Sequence, residues 1–232
     1  MRLKSLIFTA VLTTLVGMSY AHSAIQALAS RVIYDGHYKA TTLALKNHAD
    51  KAYMVQSWLE PGEAMPQDNK VPFVVTPPLV KIEPQKESIL RFMYSGQGLA
   101  EDRESQFWIN IQEIPPKPEQ ENVLQLAVRT KIKLFYRPKQ LDIELKDAVK
   151  QLRWFVQDKT LYVENKSPLY VTIGDLRLGN QNSVVMNLNQ DMIAPFSTAA
   201  VLKGVPADLS SLHYTYISEY GGNEAMPIVQ LR

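Results

Sequence analysis

The 232-residue chain has no cysteine, so it can form neither a disulfide framework nor a thiolate site, and its stability must come from burying a core. Long apolar runs are nearly as scarce. Beyond the run from Leu6 to Val16, nothing approaches the roughly 20 residues of a membrane-spanning helix, which excludes membrane insertion. That first run is itself too short to span, follows Arg2 and Lys4, and ends in small residues around Ser19-Tyr20-Ala21. This is the pattern of a secretory signal peptide. Residues 1–21 are assigned to it, with cleavage after Ala24 as the alternative. An excess of one charge is missing too, because removing Arg2 and Lys4 from 25 basic residues leaves 23 against 23 acidic ones. A balanced surface excludes nucleic acid or an anionic membrane as a broad electrostatic partner.

Catalytic constellations are also lacking. His22, His37, His48 and His213 are scattered, and none has a second ligand at metal spacing, so no metal site is expected. Gly96-x-Gly98 lacks the third glycine and the strand-to-helix context of a phosphate-binding loop, and there is no G-x-S-x-G elbow. Glu101-Asp102 and the pair Glu119 and Glu121 fall in loops, where solvated charge is the expected role. These absences predict a protein that is not an enzyme and needs no cofactor.

What the chain does have is short segments of period two. Ala29 to Tyr34, Thr41 to Leu45, Tyr53 to Leu59, Val71 to Val75, Leu79 to Ile82, Ser88 to Tyr94 and Phe107 to Ile111 read as strands. Thr76-Pro77-Pro78 and Ile114-Pro115-Pro116 punctuate them. The longest candidate runs from Asn122 to Tyr136, with Leu124, Leu126, Val128, Thr130, Ile132, Leu134 and Tyr136 on one parity and Gln125, Arg129, Lys131 and Lys133 on the other. Arg137-Pro138 ends it and marks the domain boundary, giving domains 22–138 and 139–232. Gln151 to Val156, Thr160 to Glu164, Leu169 to Ile173, Val184 to Leu188, Ala199 to Leu202, Tyr214 to Tyr220 and Ile228 to Leu231 then predict a second all-β sandwich.

Several motifs occur in an order that resembles the PapD-like periplasmic pilus chaperones. They are Ser30-Arg31-Val32-Ile33-Tyr34-Asp35-Gly36, Thr76-Pro77-Pro78, Asp102-Arg103-Glu104-Ser105 leading into Phe107-Trp108-Ile109-Asn110, Glu113-Ile114-Pro115-Pro116, and Thr130 to Pro138. The second domain adds Asn165 to Thr172 and Tyr216-Ile217-Ser218-Glu219-Tyr220-Gly221-Gly222. The short connection from Ile114 to Asn122 resembles the short-loop subfamily, and the lack of cysteine agrees with it.

The resemblance implies an all-β protein of two immunoglobulin-like sandwiches set at an angle around a cleft. It further implies a periplasmic chaperone that lends a strand to a pilus subunit and passes the complex to an outer-membrane usher. Leu124, Leu126 and Val128 match the donor positions. Alternate residues of a strand stand about 6.6 Å apart, so these three can plug one open core. Arg31 and Lys133 match the two cations that anchor the subunit's C-terminal carboxylate. Glu104, Arg137 and Glu219 match a charged trio that fixes the angle between the domains, with Glu219 standing where aspartate is common. An exposed apolar edge invites pairing, so a self-capping dimer is expected of the free form. Lys133 has the opposite parity to the donor row, which calls for a bulge, a strong twist or a change of ligand-facing side. Without the resemblance, the competing readings are a secreted adhesin or carbohydrate-binding module that uses Trp58, Trp108 and Trp154, and an enzyme of unfamiliar type.

Overall fold

A computed structural model of the protein describes residues 23–63, 70–118, 123–179 and 183–231. The segment assigned to a signal peptide lies outside the described residues. No helix among them is long and apolar enough to cross a membrane.

The chain forms two β-sandwiches. In the first, β1 (Ile25–Ala27), β3 (Thr41–Asn47), β7 (Glu87–Tyr94) and β5 (Phe73–Thr76) lie in that order in one sheet. The facing sheet holds β2 (Arg31–Asp35), β9 (Arg129–Arg137), β8 (Ser105–Ile114), β4 (Tyr53–Pro61) and β6 (Leu79–Ile82). Alternation sets the faces: Phe107, Ile109 and Ile111 of β8 point inward and are fully or almost fully buried beside Leu45, Leu90, Phe92 and Leu134. Thr76-Pro77-Pro78, which contains a cis Thr76–Pro77 bond, carries the chain from β5 in one sheet to β6 in the other.

The second sandwich pairs β10 (Leu152–Gln157), β11 (Thr160–Asn165) and β14 (Ser197–Lys203) in one sheet. The other sheet contains β13 (Met192–Ile193), β12 (Val171–Leu178), β15 (Ser211–Ile217) and β16 (Asn223–Ala225), with β17 (Val229–Gln230) also on β15. Its core is centred on Leu161, Val163, Leu169, Ile173, Leu176 and Val201. The two cores divide between Tyr136, which packs on the first, and Leu141 and Ile143, which pack on the second.

Two expectations are corrected and one element is added. The strand proposed for Asn122 to Tyr136 begins only at Arg129, because the strand beside it ends at Ile114 and continues as Pro115-Pro116-Lys117-Pro118, whose prolines have no N–H to donate. Val184 to Leu188 is not a strand. Asn187 sits at a φ of 65° and breaks the extended path, while Val185 and Leu188 pack against the second core from a loop. A short helix, α1 (Leu145–Val149), went unassigned although Leu145, Ala148 and Val149 bury one face at helical spacing.

Candidate functional site

Arg31 opens β2 and Lys133 lies opposite it on β9, as neighbours in a parallel register. Both point out of the first sandwich toward the second. Arg31 Nη1 donates to the Ile217 carbonyl of the second sandwich at 3.3 Å, and its guanidinium lies 6.0 Å from the centre of the Phe135 ring. Lys133 Nζ lies 5.7 Å from the Trp108 ring centre. Among the described residues neither cation is held by a carboxylate within ion-pair distance, and Arg31 Nε is buried without a partner. Burial pulls both groups below their ordinary pKa values, while the charge of Asp191 on the second sandwich pulls each back up. For Lys133, the adjacent Arg31 adds a further downward push. Two neighbouring, partly desolvated cations with donors to spare have the charge and the free N–H groups to accept a carboxylate.

The backbone above this pair is open. Upstream of Arg31 the chain leaves β9 and crosses to the other sheet as β1, pairing Ile25 with Asn47 and Ala27 with Leu45, and Leu28 N donates to the Ala44 carbonyl. Upstream of Lys133, therefore, β9 has β8 on one side and, among the described residues, no strand on the other. The gap is a groove of about 770 Å³ lined by Ile25, Ala27, Ala29, Thr130 and Ile132. Beyond it, Leu124 is 88% exposed, Leu126 73% and Val128 41%. The β8–β9 ladder runs in step from Gln112↔Arg129 to Ser105↔Tyr136, so no bulge lies between Arg129 and Lys133. The parity question resolves without one: Ile132 and Leu134 face the core, Lys133 faces the cleft, and the exposed row continues the core parity past the end of the sandwich.

Glu113 also meets this groove. It occupies the inward parity of β8 after Phe107, Ile109 and Ile111 and is 4% exposed. Its Oε1 accepts from Ile25 N at 3.0 Å and from the Ser23 hydroxyl, and its own N–H donates to the Val128 carbonyl.

The predicted charged trio comes together at the junction of the sandwiches. Arg137 Nε lies 2.9 Å from Glu104 Oε1 and Arg137 Nη2 lies 2.6 Å from Glu219 Oε1. Glu104 Oε2 accepts from the Tyr170 N–H at 2.8 Å, and Glu104 N donates to the Pro168 carbonyl. Burial pushes the Glu104 carboxyl up from the usual range, against the pull of Arg137 and the Tyr170 amide. Burial would lower Arg137, but its two carboxylates outweigh it and raise the guanidinium, which stays charged. Glu219 thus completes the trio despite its extra methylene. Phe135 packs on Tyr170 at 5.5 Å, and Gly221, at a φ of 87°, lets the second sandwich approach the Ser30 side chain more closely than any Cβ would allow.

Other candidates separate. Trp154 is buried against Tyr214, while Trp58 and Trp108 lie on the outer sheet face beneath Arg129, Lys131 and Lys133, which leaves no exposed aromatic platform from the three. His37 binds Asp35, His48 binds Gln26, and no cluster of three metal-ligating side chains occurs among the described residues. Sequence reading missed Asp191, the Ile217 carbonyl and the packing role of Phe135, which reach the site through the tertiary fold and carry no local signal.

Two family models cover the chain: the N-terminal domain of PapD, described as a pili and flagellar-assembly chaperone, over residues 24–142, and the C-terminal domain of the pili assembly chaperone PapD over residues 147–227. Chaperone protein HifB of Haemophilus influenzae is 36% identical over 205 residues, covering 84% of this chain and 83% of that one. Among solved structures, the CupB2 chaperone of Pseudomonas aeruginosa matches with a TM-score of 0.76 at 31% identity, covering 89% of this chain and all of that one. The SafB chaperone of Salmonella enterica, in complex with the SafA pilin, matches with a TM-score of 0.80 at 25% identity, covering 92% and 99%.

Proposed function

The chain belongs to the PapD family of pilus-assembly chaperones, and from that premise we propose that it is a periplasmic chaperone that binds a pilus subunit by lending it residues 123–128. The observation that carries this reading is a row of exposed apolar side chains, Leu124, Leu126 and Val128, at the open end of a strand edge that terminates in two unpaired, half-buried cations. The row offers plugs for a partner's open core, and the edge offers backbone hydrogen bonds. The SafB chaperone, solved with its SafA pilin, supports a pilin as the partner class.

The direction of the incoming strand follows from the geometry. Its terminal carboxylate bonds Arg31 and Lys133, where β2 begins, so the rest of it extends upstream along β9 in the line that β2 leaves empty. It therefore runs parallel to β9. The trio of Glu104, Arg137 and Glu219 holds the second sandwich at the angle that brings the Ile217 carbonyl and Asp191 to the cation pair. In the free protein a second copy caps the exposed row as a dimer. An outer-membrane usher then receives the chaperone–subunit complex.

Co-purification of a pilus subunit from the periplasm tests the anchor. Wild type is expected to carry the subunit, whereas folded Arg31→Ala and Lys133→Ala variants lose it. Equal capture by folded variants would remove the carboxylate anchor from the account.

A further inference from the structure

Glu113 is a carboxylate in a position that the β8 pattern reserves for a hydrophobe, and it spends its acceptor on the segment that forms the far wall of the groove. Burying such a group is costly unless hydrogen bonds compensate, and here they come from the Ile25 N–H and the Ser23 hydroxyl. The segment it holds, residues 23–30, is also the strand best placed to close the groove. Downstream it already pairs with β9 in the parallel register Arg31↔Lys133, and continuing that register would set Ser30 against Ile132, Ala29 against Lys131 and Leu28 against Thr130. Such pairing would satisfy the open edge of β9 and fill the place of an incoming strand. Opposing it are the three residues of β1, a short ladder, and the two hydrogen bonds to Glu113.

We propose that Glu113 is a positioning residue that pins the N-terminal segment to the opposite sheet and so keeps the groove beside β9 open for the partner's strand. It acts at both walls, since its carboxylate holds Ile25 and Ser23 on one side and its N–H holds the Val128 carbonyl at the root of the exposed row. Losing the carboxylate lets residues 28–30 zip onto β9, and the partner must then displace a strand of the chaperone itself. The inference rests on the strand-receiving reading above, but its structural half can be read in the free protein alone.

The test combines hydrogen exchange on the free protein with co-purification of a subunit, using wild type, Glu113→Gln, Glu113→Ala and Glu113→Ala with Ser30→Pro. In wild type, diluted until the capping dimer has dissociated, the outward amides of residues 129–132 are expected to exchange fast. In Glu113→Ala they are expected to slow, and capture to fall, by about tenfold each, the change that about 1.4 kcal/mol produces. Glu113→Gln keeps an acceptor oxygen and is expected to behave as wild type. Ser30→Pro removes the N–H that would reach the Lys131 carbonyl in the zipped register, as Gly36 N reaches the Arg137 carbonyl downstream, so it blocks zipping and restores capture. A folded Glu113→Ala that keeps fast edge exchange and full capture overturns the pin, and so does one that loses capture with no slowing and no rescue. If wild type captures no subunit while Glu113→Ala still slows the edge amides, the strand-receiving reading falls and the pin stands.

Discussion

Residues 123–128 and 129–137 continue one line of chain with one alternation, yet they have opposite fates. The second stretch is laddered to β8 from Arg129 to Tyr136 and to β2 from Lys133 onward, and it buries Ile132 and Leu134. Among the described residues the first forms no ladder, meeting β8 at the bond from the Glu113 N–H to the Val128 carbonyl, and leaves Leu124, Leu126 and Val128 in solvent. Side-chain pattern is the same in both, so what separates them is the neighbour. Where β8 supplies N–H groups the strand forms, and where Pro115, Pro116 and Pro118 follow, it does not. An apolar row without a ladder is an aggregation hazard, and its retention makes sense if a partner supplies the missing strand.

Substitutions should separate the halves. The largest effect is expected at the laddered end, where Arg137→Ala strands the buried Glu104 carboxylate; breaking such a desolvated pair on one side costs about 3–5 kcal/mol. Urea unfolding measures it, and a loss no larger than that of exposed Lys81→Ala would show that the junction pair carries no stability.

Lys133, where the open edge meets the laddered half, should separate stability from binding. Burial places its folded pKa below its unfolded value, so the unfolded chain binds the extra proton between the two. Its charge therefore costs stability at neutral pH, and the cost fades as pH rises through the lowered pKa toward 10.5. Lys133→Met is expected to be at least as stable as wild type at pH 7 and to lose that advantage at alkaline pH. Subunit capture by wild type should weaken over the same rise as the ammonium is lost. Parallel pH–stability curves for the two proteins would contradict this.

The smallest change in stability belongs to the free half. Leu126→Ser should alter unfolding free energy by no more than about 0.5 kcal/mol, as for an exposed site, while reducing subunit capture. A large loss of stability would mean that the row is packed within the free protein.

Much of this was legible in the sequence, because β-strands carry their burial in their parity. Thr41, Tyr53 and Leu79 open strands where the alternation starts, and Arg137-Pro138 closes the first sandwich. Arg31, Lys133, Glu104, Arg137 and Glu219 were found through motif order, and the fold brings the first two together and the last three together. The exposure of Leu124 and Leu126 is implied only by the resemblance, since their parity is that of the core residues Ile132 and Leu134 and only the neighbouring strand distinguishes them. Asp191 and the Ile217 carbonyl come from a second domain. Glu113 did leave a local trace, a charge in an inward slot, but inward became known only once the sheet was seen.

The most direct measurement of the central claim is hydrogen exchange over residues 123–132 in the free monomer and in the complex with a pilus subunit. The amides of 123–128 and the outward amides of 129–132 should exchange fast when free and become protected together in the complex. If they stay fast with the subunit bound, the partner is held elsewhere and strand donation is wrong.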